Sequence, residues 1–219
     1  MTDIVFQKNH IIKGGKDTVF SAILFEQTIE NYPYSGMKMI VDSEVENAPD
    51  MPPFVISFYE AFADLGKPPT EDEFFDRYVK DNFSFCCLFN LEALKARALR
   101  AYPSFLRDYH FYLMCIEDGF FDDVKYCLED DMDGIDLKVT KDNVEFNIML
   151  FCDTKKANQY REKKLFRHEE IPNSIDLPLK MNKRKFVGDY WLYESVSDLT
   201  SIVILRLHKK KLENIVKAV

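Results

Sequence analysis

The chain reads as a mixed α+β protein with a mostly helical N-terminal region, on three observations. Residues 90–102 are rich in strong helix formers, with apolar side chains at helical spacing, and a second helical run follows from Ser104 to Glu117. From 121 to 151 the period changes to short runs with β-branched and aromatic content, separated by turn-forming residues. A charged amphipathic stretch, 155–166, then precedes further strand-like runs, so the predicted order from 104 to 194 is helix, three strands, helix, strand.

The elements follow in order. Gly14-Gly15, the cluster at 31–36 and Pro49 break up the first 50 residues, and the run from Asp17 to Glu30 between them predicts a helix. Pro52-Pro53 opens the apolar segment Phe54 to Phe62, which Gly66-Lys67-Pro68-Pro69 stops. Thr70 with Glu73 three residues on forms a capping box ahead of Phe74, Phe75, Tyr78 and Val79. Leu91, Leu94, Ala98 and Tyr102 share one helix face; Pro103 interrupts it, and a second, largely buried helix is expected from Ser104 to Glu117. Phe121 to Leu128, Ile135 to Val139 and Val144 to Phe151 predict an antiparallel meander with turns at 129–134 and 140–143. Strands at Ser174 to Leu179 and Phe186 to Glu194 and a helix from about Ser197 complete the reading. The division drawn is a helical region, 1–102, and a mixed core, 103–219.

With 219 residues, 47% of them hydrophobic, the chain suits one medium globular domain, or a domain with an appendage, and is not a disordered polypeptide. No apolar run reaches the roughly 18 residues a bilayer span needs, and the N-terminus lacks a secretory pattern, so a cytoplasmic protein with no membrane partner is expected. Five cysteines without a CxxC pair suggest reduced thiols. The 19 Phe and 11 Tyr against 7 Gly point to a large aromatic core.

Net charge is −8 and unevenly spread. Residues 117–133 hold eight acids against Lys125 alone, whereas 151–190 hold ten basic residues against six acids. No P-loop, GxGxxG, HExxH, GxSxG or EF-hand pattern occurs, and the four histidines are scattered, so neither a local zinc site nor a histidine-based triad has support.

What remains is Gly134-Ile135-Asp136 in the second strand and Asp153-Thr154-Lys155 at the end of the third. An antiparallel hairpin turning at 140–143 brings Asp136 and Asp153 toward one edge, where two carboxylates would hold a hard divalent cation such as Mg²⁺. Lys155, two residues past Asp153, projects to the same side of an extended chain and could orient the attacking water. Structural readings stand beside these: Asp153 as a helix N-cap worth about 1 kcal/mol, Asp136 in an acidic turn, Lys155-Lys156 as a solvated first turn.

These residues resemble the bipartite signature of the PD-(D/E)xK nuclease superfamily, in which an aspartate of the second strand precedes an acid-x-lysine at the third. The order from 104 to 194 is similar to that family's restriction-endonuclease-like αβββαβ core, over about 90 residues. The resemblance implies Asp136 and Asp153 as metal ligands, Lys155 as catalytic lysine and Gln159 as a supporting polar group. Glu117 is the nearest match to an optional third acid. It further implies Mg²⁺, with Mn²⁺ as a substitute, a DNA substrate and activity as a homodimer where two strands are cut. Lys156, Lys163, Lys164 and Arg167 are candidate phosphate contacts, a solvated charged face being the other reading, and Arg97, Arg100 and Arg107 would extend the same basic surface. The alternative function is a catalytically inactive partner- or nucleic-acid-binding module with the same fold.

Overall fold

A computed structural model describes residues 3–33, 40–153, 171–180, 185–187, 190–192 and 202–218. The chain opens with an antiparallel meander of β1 (Val5–Gln7), β2 (His10–Lys13) and β3 (Lys16–Val19). Gly14 and Gly15, at φ +53° and +82°, form the two-residue loop between paired Lys13 and Lys16, a conformation glycine adopts without steric cost. This corrects the helix expected from Asp17. The hairpin draws 16–19 into the sheet, and α1 (Ala22–Ile29) begins only at Ser21, whose Oγ accepts from the Leu24 amide at 3.1 Å.

Four helices follow: α2 (Ser43–Glu46), α3 (Phe54–Leu65), α4 (Glu71–Asp81) and α5 (Phe83–Cys86). Gly66, at φ +69°, closes α3 by donating its amide to the Phe62 carbonyl at 2.9 Å. The capping box of α4 forms as its sequence predicts: Thr70 Oγ1 accepts from the Glu73 amide at 3.3 Å, and Glu73 Oε2 accepts from the Thr70 amide at 2.8 Å.

The largest departure from expectation is α6 (Leu91–Glu117), one 27-residue helix that runs through Pro103. The domain boundary drawn after residue 102 falls inside it. A proline in a helix interior costs about 3 kcal/mol. Tyr102, Leu106, Tyr109, Tyr112 and Leu113, all nearly or fully buried along α6, outweigh that cost. Pro103→Ala is therefore expected to stabilise the protein by about 2 kcal/mol, read as a higher urea midpoint; a lower midpoint would mean the proline itself supports the packing.

After α6 come β4 (Asp123–Lys125), α7 (Leu128–Met132), β5 (Leu137–Lys141), β6 (Val144–Cys152) and β7 (Ser174–Leu179). The strand expected over 121–128 is shorter, because Glu129, Asp130 and Asp131 in a first turn favour a helix N-terminus there. Sheet order is β4-β5-β6-β7, with β4, β5 and β6 antiparallel and β7 parallel to β6. Asp142 and Asn143, both at positive φ, make the tight loop between paired Lys141 and Val144. The helix expected over Lys155 to Phe166 lies outside the described residues. In place of one strand from Phe186 to Glu194 there are two antiparallel strands, β8 (Lys185–Val187) and β9 (Tyr190–Leu192).

The last helix, α8 (Ile202–Lys217), packs against α6 and β7. Its Lys209 is 2% exposed and is held by Asp118 and Glu213. One hydrophobic cluster runs from Ile11 in β2 to Val216 in α8. All five cysteines are free thiols. Among the described residues no helix is long and apolar enough to cross a membrane.

Candidate functional site

Asp136 enters β5 from a turn at Gly134, where φ is +90°. Its amide donates to the Ile148 carbonyl at 3.0 Å, continuing the β5–β6 ladder by one step. Its carboxylate accepts a hydrogen bond from the Leu150 amide, which fixes the side chain along β6.

Two further elements bring charge to the same place. From α6 come Arg107 and Asp108, 6% and 3% exposed, paired at 2.6 Å between Nη2 and Oδ1. From α7 comes Asp131, whose carboxylate accepts from the buried Tyr126 hydroxyl. Arg107 also donates from Nη1 to Cys152 Sγ at 3.3 Å, tying the helix to the end of β6. Three carboxyl groups and one guanidinium thus interact, Arg107 and Asp108 buried and Asp131 and Asp136 half-buried.

Burial dominates their electrostatics. It pushes the Asp131 carboxyl up to about 6, against the lowering effects of Tyr126 and Arg107. It raises Asp108 as well, with Arg107 pulling down and Asp131 pushing up. Asp136 is raised well above the carboxylate range by burial first, then by Asp108 and Asp131; Arg107 and the Leu150 amide oppose this. Burial alone would lower the Arg107 guanidinium, but Asp108, Cys152 and Asp136 reverse that and keep it charged.

Asp153 lies one residue beyond β6, exposed, with its amide donating to the Leu179 carbonyl at 2.8 Å. The β5–β6 register sets its distance from Asp136. Leu137 faces Ile148, and the Asp136 carboxylate sits at the level of Leu150, three residues before Asp153. At ~3.3 Å per residue that is about 10 Å along the strand. One ion held directly by both carboxylates does not fit this spacing. An ion held directly by Asp153 does, since Mg²⁺ takes as few as one carboxylate and keeps several waters. Among the described residues no group of three His, Cys, Asp or Glu is placed to hold a metal.

Lys155, Lys156, Gln159, Lys163, Lys164 and Arg167 lie outside the described residues. Glu117, the expected match to a third acid, instead accepts the Ala22 amide at 2.6 Å and serves the start of α1. The helix carboxylate near Asp136 is Asp108, which the sequence reading missed. Its signal was an acid embedded among Tyr102, Leu106, Tyr109 and Tyr112 on an otherwise apolar helix. The expected basic surface of Arg97, Arg100 and Arg107 does not form. Arg97 and Arg100 both pair with Glu46, and Arg107 is buried. Comparison of the chain with protein-family models, curated proteins and solved structures gives no match.

Proposed function

We propose that the chain is a metal-dependent phosphodiesterase acting on DNA, built on a restriction-endonuclease-like core. The observation that carries this reading is the sheet connection: a long helix, three antiparallel strands, then a fourth strand parallel to the third. Asp136 and Asp153 both belong to the end where β5 begins and β6 finishes. In this reading Asp153 holds a Mg²⁺ or Mn²⁺ ion, which supplies Lewis acidity and a bound water of lowered pKa. Lys155 orients the attacking water and screens phosphate charge. Gln159 supports the site, and Lys156, Lys163, Lys164 and Arg167 take neighbouring phosphates.

A second reading, a catalytically inactive nucleic-acid-binding module, is favoured by the offset between the two carboxylates and by the hydrogen bond that engages Asp136 within the fold. Incubation of supercoiled plasmid and labelled oligonucleotides with the full chain and Mg²⁺ or Mn²⁺ separates the two. Cleavage by wild type that falls more than about 100-fold in Asp153→Ala and Lys155→Ala, beyond the ~10–100-fold typical of losing an outer-shell partner, supports the first. Binding without cleavage supports the second. Cleavage that survives both substitutions removes the assigned site.

A further inference from the structure

A groove of about 540 Å³ opens between the end of the sheet and the last helix, lined among the described residues by Asp153, Pro178, Lys180, Ile204, Leu207, His208 and Lys211. We propose that it seats the phosphodiester backbone of a DNA strand, with Lys180 and Lys211 as its phosphate contacts. This rests on the nucleic-acid reading above and names the surface that the strand follows.

The two lysines come from different segments, and His208 ties the backbone of the first to the helix that carries the second. Lys180 directly follows β7, and Lys211 lies one turn after His208 on α8. His208 donates from Nδ1 to the Ile204 carbonyl at 2.8 Å and accepts the Lys180 amide on Nε2 at 2.9 Å. Both ring nitrogens are therefore used inside the fold in the neutral form, and the imidazole is a wall that fixes Lys180 to the helix. Burial lowers its pKa, and the positive charges of Lys211 and Lys180 add to that, against the hydrogen bond to Ile204.

Charge balance supplies the second observation. Lys13, Lys138 and Lys209 each meet a carboxylate within ion-pair distance. Lys180 and Lys211 have no carboxylate partner among the described residues, in a chain whose net charge is −8. Among the described residues, two cations without a carboxylate partner line one groove beside the carboxylate of Asp153, a positive balance on an acidic protein. Pro178, Ile204 and the exposed Leu207 offer an apolar surface to the sugars between phosphates. The volume is that of an ordinary ligand cleft.

The test measures binding without catalysis. Fluorescence anisotropy of a labelled DNA duplex and of its separated strands is followed in EDTA across a salt series, with the full chain, Lys180→Ala/Lys211→Ala, and Lys80→Glu as a control with the same change in net charge. The double variant is expected to bind about tenfold or more weakly, and its log–log salt slope to flatten by about 1.4–1.8, the value for two lost phosphate contacts. Lys80→Glu should stay within about twofold of wild type, since it lies on α4, which contributes no residue to the groove lining. Absence of DNA binding by wild type, unchanged affinity and slope in the double variant, or an equal loss in Lys80→Glu overturns the proposal. Cleavage is scored separately with metal present: groove-dependent binding without cleavage sinks the nuclease reading alone, and cleavage with groove-independent binding sinks the groove alone.

Discussion

Arg107→Met is expected to cost roughly 3–5 kcal/mol of stability at pH 8, and part of that loss should return when the pH is lowered to 6. The side chain is the cation among Asp108, Asp131 and Asp136, and Met keeps much of its aliphatic bulk while removing the charge. Without it the three carboxyls repel one another in a buried site. Their pKa values, already raised by burial, must then rise further. A carboxyl whose folded pKa exceeds its unfolded value of about 3.9 binds more protons in the native state, so stability increases as pH falls through that window. In the wild type the window reaches about 6 at Asp131; in the variant it extends upward. Urea unfolding at pH 8 and pH 6 should show the gap between wild type and variant shrink by about 1 kcal/mol or more, the worth of one proton over one pH unit. A gap independent of pH would mean that the carboxyls do not feel the guanidinium. Adding Asp108→Asn to the variant should restore stability at pH 8 in the same direction as acid does.

Phe62→Ala should be comparably damaging, at about 3–5 kcal/mol, because its ring joins elements that are distant in sequence. The Phe62 ring lies 5.2 Å from Tyr109 of α6, 5.4 Å from Phe20 after β3, 6.2 Å from Phe25 of α1 and 6.3 Å from Tyr59 within α3. It is fully buried, so truncation leaves a cavity among rings that cannot collapse without moving several helices. The loss is read from the urea midpoint by circular dichroism, with Phe62→Leu giving a smaller shift. An alanine variant that loses less than about 1 kcal/mol would show that the site closes over the gap.

Local chemistry made much of this fold legible. The capping box at Thr70, the strand at Ser174 to Leu179 and the turn before Val144 are short-range signals, and each appears where its residues place it. The reading failed where tertiary packing overrode a local rule. Pro103 marks a break by its own chemistry, yet the aromatic residues around it are buried along one continuous helix. Likewise, 16–19 joined the first sheet because of the partner strand that Gly14-Gly15 folds back onto it.

The candidate site was legible only in part, for the same reason. Asp136 was found from a predicted strand, which in the structure begins one residue later at Leu137, but Asp108 and Asp131 act on it from α6 and α7, and no spacing in the sequence encodes that meeting. The offset between Asp136 and Asp153 was equally hidden. It depends on strand register, and β6 continues past the point where β5 begins.

The hydrogen bond from the Ile202 amide to Glu26, at 3.0 Å, joins residues separated by 176 positions, and the Ala22 amide reaches Glu117 across 95. Surfaces closed by contacts of this range cannot meet until both partners have been made. Until α8 has been made and docks, the faces of α1 and α6 that it covers stay wet, so the nascent protein waits in a partly assembled state and acquires its full cooperativity late.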